Sequence, residues 1–493
     1  MIFALIFLPL LSALAAMLVR PDRPRRALLI ATAALHAALT AACWVSPPAF
    51  APDAWVGLDA AGRLFLAIAS LLFLAVSVHA VHSLGHEARG RQTEEDTGSV
   101  FVNAPEAVYT ACLLVFLSTM TLVAASRHLG LLWVAVEATT LATAPLIYFH
   151  RQASSLEATW KYLLVCSVGI ALALLGNFLL VIASTGSGGA GGTLLAPELV
   201  ARGATLQAPW LKAAFVFLLV GYGTKMGLAP MHTWLPDAHS EAPSPVSALL
   251  SGALLNCAFL GILRAHGICA AAGLGHFSGQ LLVGFGLLSM AVAAAFLVNP
   301  PDYKRMLAYS SVEHMGLLAL GAGLGGAALL GALLHAVNHS VVKAALFMLA
   351  GNLLFAYRTK AVARVAGAIR ILPVSGLLWL AGLFAITGSP PFGTFASEFM
   401  MLKEAFGRGR GGAAVAVVAL VALSVAFVGM SKAFLGMALG RAPEGLAAVR
   451  ERPPAFWPAL ALLSISLLLG LWIPRGLLDA LEQAARLLGG GGP

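Results

Sequence analysis

The chain has 493 residues, of which 60% are apolar and only 10% charged, and its formal net charge is +9. A soluble fold of this length needs far more charge to cover its surface, so a water-soluble protein is excluded. The basic excess sits in connections that flank apolar runs, which points to a lipid bilayer and away from nucleic acid.

Apolar runs near twenty residues recur from end to end, each long enough to cross a hydrocarbon core about 30 Å thick. The alternation expected of a transmembrane barrel is missing, so the spans are helices that satisfy their own backbone groups. About fourteen are expected, at 1–19, 27–45, 59–82, 105–124, 128–149, 156–184, 211–229, 244–266, 277–298, 306–324, 327–356, 372–405, 412–439 and 455–474. The first has no basic segment before it, and Arg20, Arg23, Arg25 and Arg26 follow it, so it reads as a retained span rather than a signal peptide. The polar stretch 82–103 reads as a hydrated loop. The Gly-rich 186–192 is a flexible connection without the Lys-Ser/Thr of a phosphate-binding loop. An amphipathic tail near 477–488 closes the chain.

With the first loop cytoplasmic, the same side collects Arg89, Arg91, Arg151, Lys304, Arg305, Arg358, Lys360, Arg364, Arg370, Arg441, Arg450 and Arg452. The positive-inside rule then places both termini on the periplasmic or exterior side of a cytoplasmic membrane. The five cysteines lie in or beside apolar runs without a Cys-x-x-Cys or Cys/His cluster, so no iron–sulfur, haem or structural zinc centre is expected. No cofactor is expected either, and no redox or hydrolytic chemistry within this chain.

Two spans are interrupted at matching places. The seventh contains Gly227 and Pro230, and the twelfth contains Gly388, Pro390, Pro391 and Gly393. Proline removes a backbone donor and breaks a helix, which a membrane tolerates only where protein or water satisfies the freed groups. The breaks lie five spans apart. This predicts a three-helix segment at 1–104, two inverted five-helix repeats at 105–266 and 277–439, each a half-channel, and a C-terminal helix and tail at 440–493. Two proline kinks that only shape packing are the alternative.

Ionisable groups at membrane depth are costly unless paired or hydrated, so each one calls for a partner. Glu137 is apolar on both sides and Lys225 lies just before the seventh-span break, so each is expected to be the other's counter-ion. Such a pair either titrates as a coupled unit or stands as a static ion pair. His335, His339 and Lys343 lie four residues apart on one helical face. Histidines at that spacing ligate zinc when a third ligand joins them, but none accompanies this pair, so a relay passing protons through side chains and water is the expectation. Glu398 follows the twelfth-span break. Glu313 and His314 sit one or two turns into the tenth span, and Lys161 is similarly shallow in the sixth, where it either snorkels or joins the relay. The polar, Pro-punctuated segment with His232, Asp237 and His239 either admits water and protons or is a rigid reverse connection.

That segment, running on through Pro243-Ser-Pro245-Val-Ser-Ala-Leu249-Leu-Ser-Gly to Asn256, resembles the most characteristic motif of the antiporter-like membrane subunits of respiratory complex I, multisubunit Na⁺/H⁺ antiporters and energy-converting hydrogenases. Asp302-Tyr-Lys304-Arg305, His335-Ala-Val-Asn-His339-Ser-Val-Val-Lys343 and Pro390-Pro391-Phe-Gly-Thr-Phe-Ala-Ser-Glu398 carry the likeness across both proposed repeats. Within the superfamily, Ser-Val-Glu313-His314-Met-Gly and the Asn256 position look most like component F of hydrogenase-4. The resemblance implies fourteen helices with broken seventh and twelfth spans, Glu137 and Lys225 as the input pair, His335, His339 and Lys343 as the relay and Glu398 as its terminal group. It also implies partner membrane subunits and a peripheral redox arm carrying metal centres. One departure matters: many members carry a lysine where this chain has Asn256, which cannot hold a transferable charge. A proton-translocating subunit of a hydrogenase-4-like redox complex is therefore expected. The alternative is one of the subunits of a cation/proton antiporter that exchanges Na⁺ or K⁺ for H⁺, and a structural membrane scaffold stands behind both.

Overall fold

The structure is a computed structural model that describes residues 1–86, 91–93, 100–185 and 191–489. Arg89 and most of the Gly-rich 186–192 lie outside them.

The first helices are α1 (Ile2–Leu18), α2 (Asp22–Val45) and α3 (Ala60–His86). A short antiparallel pair follows, β1 (Arg91–Thr93) with β2 (Val100–Val102), so part of the expected loop at 82–103 is a hairpin. Next come α4 (Glu106–Ala125), α5 (Leu129–Ile147), α6 (Ala153–Ser184) and the short α7 (Ala196–Ala201). The seventh span is α8 (Ala208–Met226) and, after a break, α9 (Trp234–Glu241). The eighth is α10 (Ser244–Leu249), a π-helical turn at Leu250–Leu254 and α11 (Leu255–Ala271). Then follow α12 (Gly275–Leu297), α13 (Tyr303–Leu324), α14 (Ala327–Tyr357) and the short α15 (Ala368–Ile371). The twelfth span divides into α16 (Pro373–Ile386) and α17 (Gly393–Gly407). Finally α18 (Gly409–Leu439), α19 (Pro453–Leu471) and the amphipathic α20 (Arg475–Leu488) complete the chain. Among the described residues, eleven helices are long and apolar enough to cross a membrane, with Ile2–Leu18 and Pro373–Ile386 as shorter apolar helices. The chain is thus a mostly helical multi-pass membrane protein. Helix α13 falls outside that set because Ser310, Ser311, Glu313 and His314 dilute its apolar character.

Both breaks are satisfied locally. Gly227 takes a left-handed φ of +85° at the end of α8, and Leu228 N–H turns back onto Gly223 O at 2.8 Å. Ala229 N–H donates to Ser289 Oγ at 2.9 Å, and the Trp234 indole N–H donates to Thr224 O at 2.8 Å. At the second break Ser389 N–H donates to Phe384 O at 3.0 Å and the Thr394 hydroxyl to Ala385 O at 2.5 Å. These bonds remove the penalty that a broken helix pays in lipid.

Close helix contacts rest on small residues. On α12 and α13 a Cβ at Gly286 would stand 2.6 Å from Gly316 O, and a Cβ at Gly316 would stand 2.6 Å from Gly286 O. Overpacking such a contact costs about 1–3 kcal/mol. Gly286→Val is therefore expected to lower the thermal midpoint of the detergent-solubilised protein, and an unchanged midpoint would contradict this packing. Helix α14 sits at the centre, with His335 through Lys343 fully enclosed. The polar residues of the middle spans thereby face protein rather than lipid.

Candidate proton pathway

Two polar clusters occupy the interior. The first joins α5, α6 and α8. Lys225, fully buried, donates from Nζ to Thr140 Oγ1 at 2.8 Å and to the Tyr162 hydroxyl at 2.6 Å. Thr140 in turn donates to Glu137 Oε2 at 3.2 Å, and Ser167 donates to Glu137 Oε1 at 3.0 Å. The expected direct Glu137–Lys225 ion pair is therefore corrected: a threonine hydroxyl stands between the two charges. The reason is helical spacing, since Glu137 and Thr140 are three residues apart on one face and Thr140 is the one nearer α8. Glu137 is also only half-buried, flanked along α5 by Val134 and Leu141, which are 50% and 63% exposed. It stands at the perimeter, not in the core.

The Tyr162 hydroxyl bonds Thr143 Oγ1 at 2.6 Å, and the Lys225 ammonium lies 4.5 Å from the Tyr162 ring centroid. Lys225 is thus held by neutral hydroxyls and an aromatic face, with the carboxylate one hydroxyl away. Thr140→Val is expected to remove an acceptor worth about 1.5–3 kcal/mol to a charged donor. If the expected proton relay runs through Lys225, this change slows proton movement by roughly tenfold or more while Thr140→Ser restores it; wild-type rates in Thr140→Val would show that the hydroxyl bridge is dispensable.

The second cluster joins α13, α14 and α17. His314 Nδ1 lies 2.9 Å from His335 Nε2, and His335 Nδ1 lies 2.9 Å from Ser397 Oγ. The Ser397 hydroxyl also lies 2.8 Å from Thr394 O, and the tautomers of the two rings set which way the His314–His335–Ser397 bonds run. His339 lies 5.2 Å from His314 between ring centroids, and neither of its nitrogens has a hydrogen-bond partner among the described residues. Lys343 Nζ donates to Leu307 O at 2.6 Å and to Ser310 Oγ. All five side chains, His314, His335, His339, Lys343 and Ser397, are buried.

Glu313 is 2% exposed and lies ten positions past Tyr303, deeper than the expected one or two turns, because α13 starts earlier than its apolar run. Its Oε2 and the Oε1 of Glu398 have no hydrogen-bond partner among the described residues. The Glu398 carboxylate rests against the Cα of Gly388, where any Cβ would collide with it; Gly388 also has a φ of +63°, so glycine is required there twice over. His314, His335 and Glu398 bring one ligand atom each to within 4.8 Å of one another. The third ligand and carboxylate that the spacing of His335 and His339 lacks thus come from α13 and α17, and they meet His335, not His339. Helix-to-helix proximity of this kind leaves no trace in sequence spacing.

The remaining expected residues separate from these clusters. Lys161 is 49% exposed and pairs with Glu157 at 2.6 Å and Asp237 at 3.0 Å, while Asp237 also pairs with Arg305 at 2.6 Å. This is a surface network. His232 is buried with its ring edge-on to Tyr309, and His239 is buried and stacked on Phe347 at 5.1 Å. The connecting segment is helical and enclosed, closer to a rigid connection than to an open mouth. Asn256 donates to Gly252 O at 2.9 Å and to Ser340 Oγ at 2.7 Å, and Ser251 and Ser311 pair at 2.8 Å. Neutral amide and hydroxyl groups therefore occupy the middle. Thr140, Tyr162, Ser310 and Ser397 were not singled out by sequence reasoning; the Thr139-Thr140 and Ser397-Glu398 neighbours of the charged residues were the available signal.

Residues 126–424 match the family described as NADH:quinone oxidoreductase/Mrp antiporter, transmembrane. A hydrogenase-4 component F homologue of Methylacidiphilum infernorum is 42% identical over 304 residues, 61% of this chain and 64% of that protein. One of the subunits of a Na⁺/H⁺ antiporter of Alkalihalophilus pseudofirmus is 33% identical over 306 residues, 58% of this chain and 37% of that protein. The chain thus spans less than two thirds of the length of either relative. In a structure of respiratory complex I from Thermus thermophilus, one chain superposes with a TM-score of 0.76 at 26% identity, over 96% of this chain and 97% of that one.

Proposed function

We propose, from the premise that this chain belongs to the membrane-subunit family shared by NADH:quinone oxidoreductases and Mrp antiporters, that it is the proton-translocating membrane subunit of a redox-driven, hydrogenase-4-like complex. The observation that carries this reading is the buried line His314–His335–Ser397, two consecutive bonds of 2.9 Å beside Glu398. Three ionisable groups sharing an enclosed site at membrane depth cost several kcal/mol, which a scaffold has no use for.

In this reading Glu137, at the perimeter, senses a neighbouring membrane protein of the same complex. A change in that neighbour's charge or position alters the Glu137–Thr140–Lys225 bridge and with it the proton affinity of Lys225. Protons then pass through Lys343, His339, His314 and His335 towards Glu398, with Glu313 beside Lys343 as a further carrier. The two segments 105–266 and 277–439 act as half-channels, and the serine hydroxyls and water near Asn256 connect them. Electron transfer belongs to a peripheral arm with metal centres. Both termini face the outer side of a cytoplasmic membrane, which puts the Lys161–Asp237–Arg305 network on the cytoplasmic face.

The likeness to a protein of a Na⁺/H⁺ antiporter supports a second reading, in which Na⁺ or K⁺ is exchanged for H⁺. Internal pH of vesicles carrying the assembled complex separates the two. The first reading expects proton movement that follows redox turnover at constant rate whether or not Na⁺ or K⁺ is present. A pH change driven by a Na⁺ or K⁺ gradient alone would replace it with the second.

A further inference from the structure

A cavity of about 670 Å³ opens at the end of the molecule that carries the basic loops, between the ends of α3 and α14 and the α18–α19 connection. Its described lining includes five basic side chains, Lys304, Arg358, Lys360, Arg450 and Arg452, and two acidic ones, Glu241 and Glu451. Both carboxylates are already engaged. Glu241 pairs with Lys360 at 2.8 Å and accepts from Ser154 at 2.9 Å, and Glu451 accepts the Val374 N–H at 2.7 Å and the Ser375 N–H at 3.1 Å at the start of α16.

Lys304 is 1% exposed, yet among the described residues its amine has only two main-chain oxygens as hydrogen-bond partners, Ser240 O at 3.0 Å and Ala242 O at 2.5 Å. A buried ammonium without a direct anionic partner is costly, and an anion in the cavity it lines offsets that cost. Arg358, Arg450 and Arg452 have no ion-pair partner among the described residues; Arg358 lies over the Phe355 ring, 5.1 Å from its centroid. Burial pushes the His150 imidazole of the same wall down to about 4, so it adds no charge at neutral pH. The apolar part of the wall, Phe149, Leu354, Phe355 and Leu372, continues towards lipid, and Phe355 is 42% exposed.

We infer that this cavity is a binding site for the phosphodiester headgroup of an anionic phospholipid, with the arginines and Lys304 on the phosphate and the apolar wall against the first carbons of the acyl chains. Its volume lies in the range of small-molecule sites. Basic pockets between helices at the cytoplasmic interface are where anionic headgroups are held, and there each basic residue contributes about fivefold in affinity. This inference shares the membrane orientation of the proposed function but not its proton pathway.

The test is native mass spectrometry of the purified full-length chain in neutral detergent, titrated separately with phosphatidylglycerol, phosphatidylcholine and inorganic phosphate. One saturable phosphatidylglycerol per chain is expected, with phosphatidylcholine and inorganic phosphate far weaker. The double variant Arg358→Gln/Arg452→Gln, both exposed and so tolerant of change, should bind roughly thirtyfold more weakly, with an unchanged thermal midpoint in phosphatidylcholine. Equal binding of the two lipids, or undiminished binding by the variant, would overturn the inference. Inorganic phosphate binding as tightly as phosphatidylglycerol would assign the cavity to a free anion and overturn the lipid assignment.

Discussion

Lys343→Met is expected to reduce proton movement by roughly a hundredfold or more, the scale of losing a positioned proton-transfer group. Lys343 is the one lysine of the second cluster, enclosed on α14 and bonded to Leu307 O and Ser310 Oγ. Methionine fills nearly the same volume with an adaptable apolar chain, so packing is largely kept. Leu307 O keeps the Ser310 and Ser311 hydroxyls as donors at 3.1 Å each, so only the acceptor site of Ser310 Oγ is vacated, at about 1 kcal/mol, a loss visible as a lower thermal midpoint but small beside the transport effect. Lys343→Arg keeps a charge that does not leave, so it should restore the midpoint without restoring transport. Proton uptake by vesicles of the assembled complex reads both variants; transport by Lys343→Met at near wild-type rate would remove Lys343 from the pathway.

Glu137→Gln is expected to uncouple the complex: redox turnover continues in part, coupled proton movement falls by at least about tenfold, and assembly is intact. The amide oxygen accepts from one of Thr140 and Ser167, now 3.2 and 3.0 Å from the carboxylate, while its NH2 group donates to the other hydroxyl, whose proton turns away, so the packing of α5 against α6 is preserved. What disappears is the charge. Without that charge, movement of the neighbouring subunit no longer alters the field at Lys225. Because Glu137 is half-buried beside lipid-facing Val134 and Leu141, the substitution carries little folding penalty. Equal proton-to-electron ratios in the variant and the wild type would show that the perimeter carboxylate does not couple.

Much of this architecture is legible in the sequence, because length and apolarity dictate membrane helices and prolines at 230, 390 and 391 dictate where two of them break. The one-face stripe of His335, His339 and Lys343 is equally legible, since helical periodicity is a local property. Contacts between helices are not. Thr140 looks like any threonine of an apolar helix, and only the approach of α8 makes it the bridge between Glu137 and Lys225. His314 is adjacent in sequence to Glu313, yet its bonded partner is His335 on the next helix. Glu313 reads as shallow because the apolar run of α13 starts after Arg305, although the helix itself starts at Tyr303. The polar stretch 82–103 hides a hairpin because three-residue strands carry too little pattern to register.

The most direct test of proton movement through the second cluster uses the assembled complex in liposomes with a trapped pH-sensitive dye, comparing wild type with His335→Gln. Glutamine retains hydrogen bonds to His314 and Ser397 but cannot accept one proton while releasing another. The account predicts redox turnover without a change in internal pH in the variant. An internal pH change at the wild-type rate would contradict it.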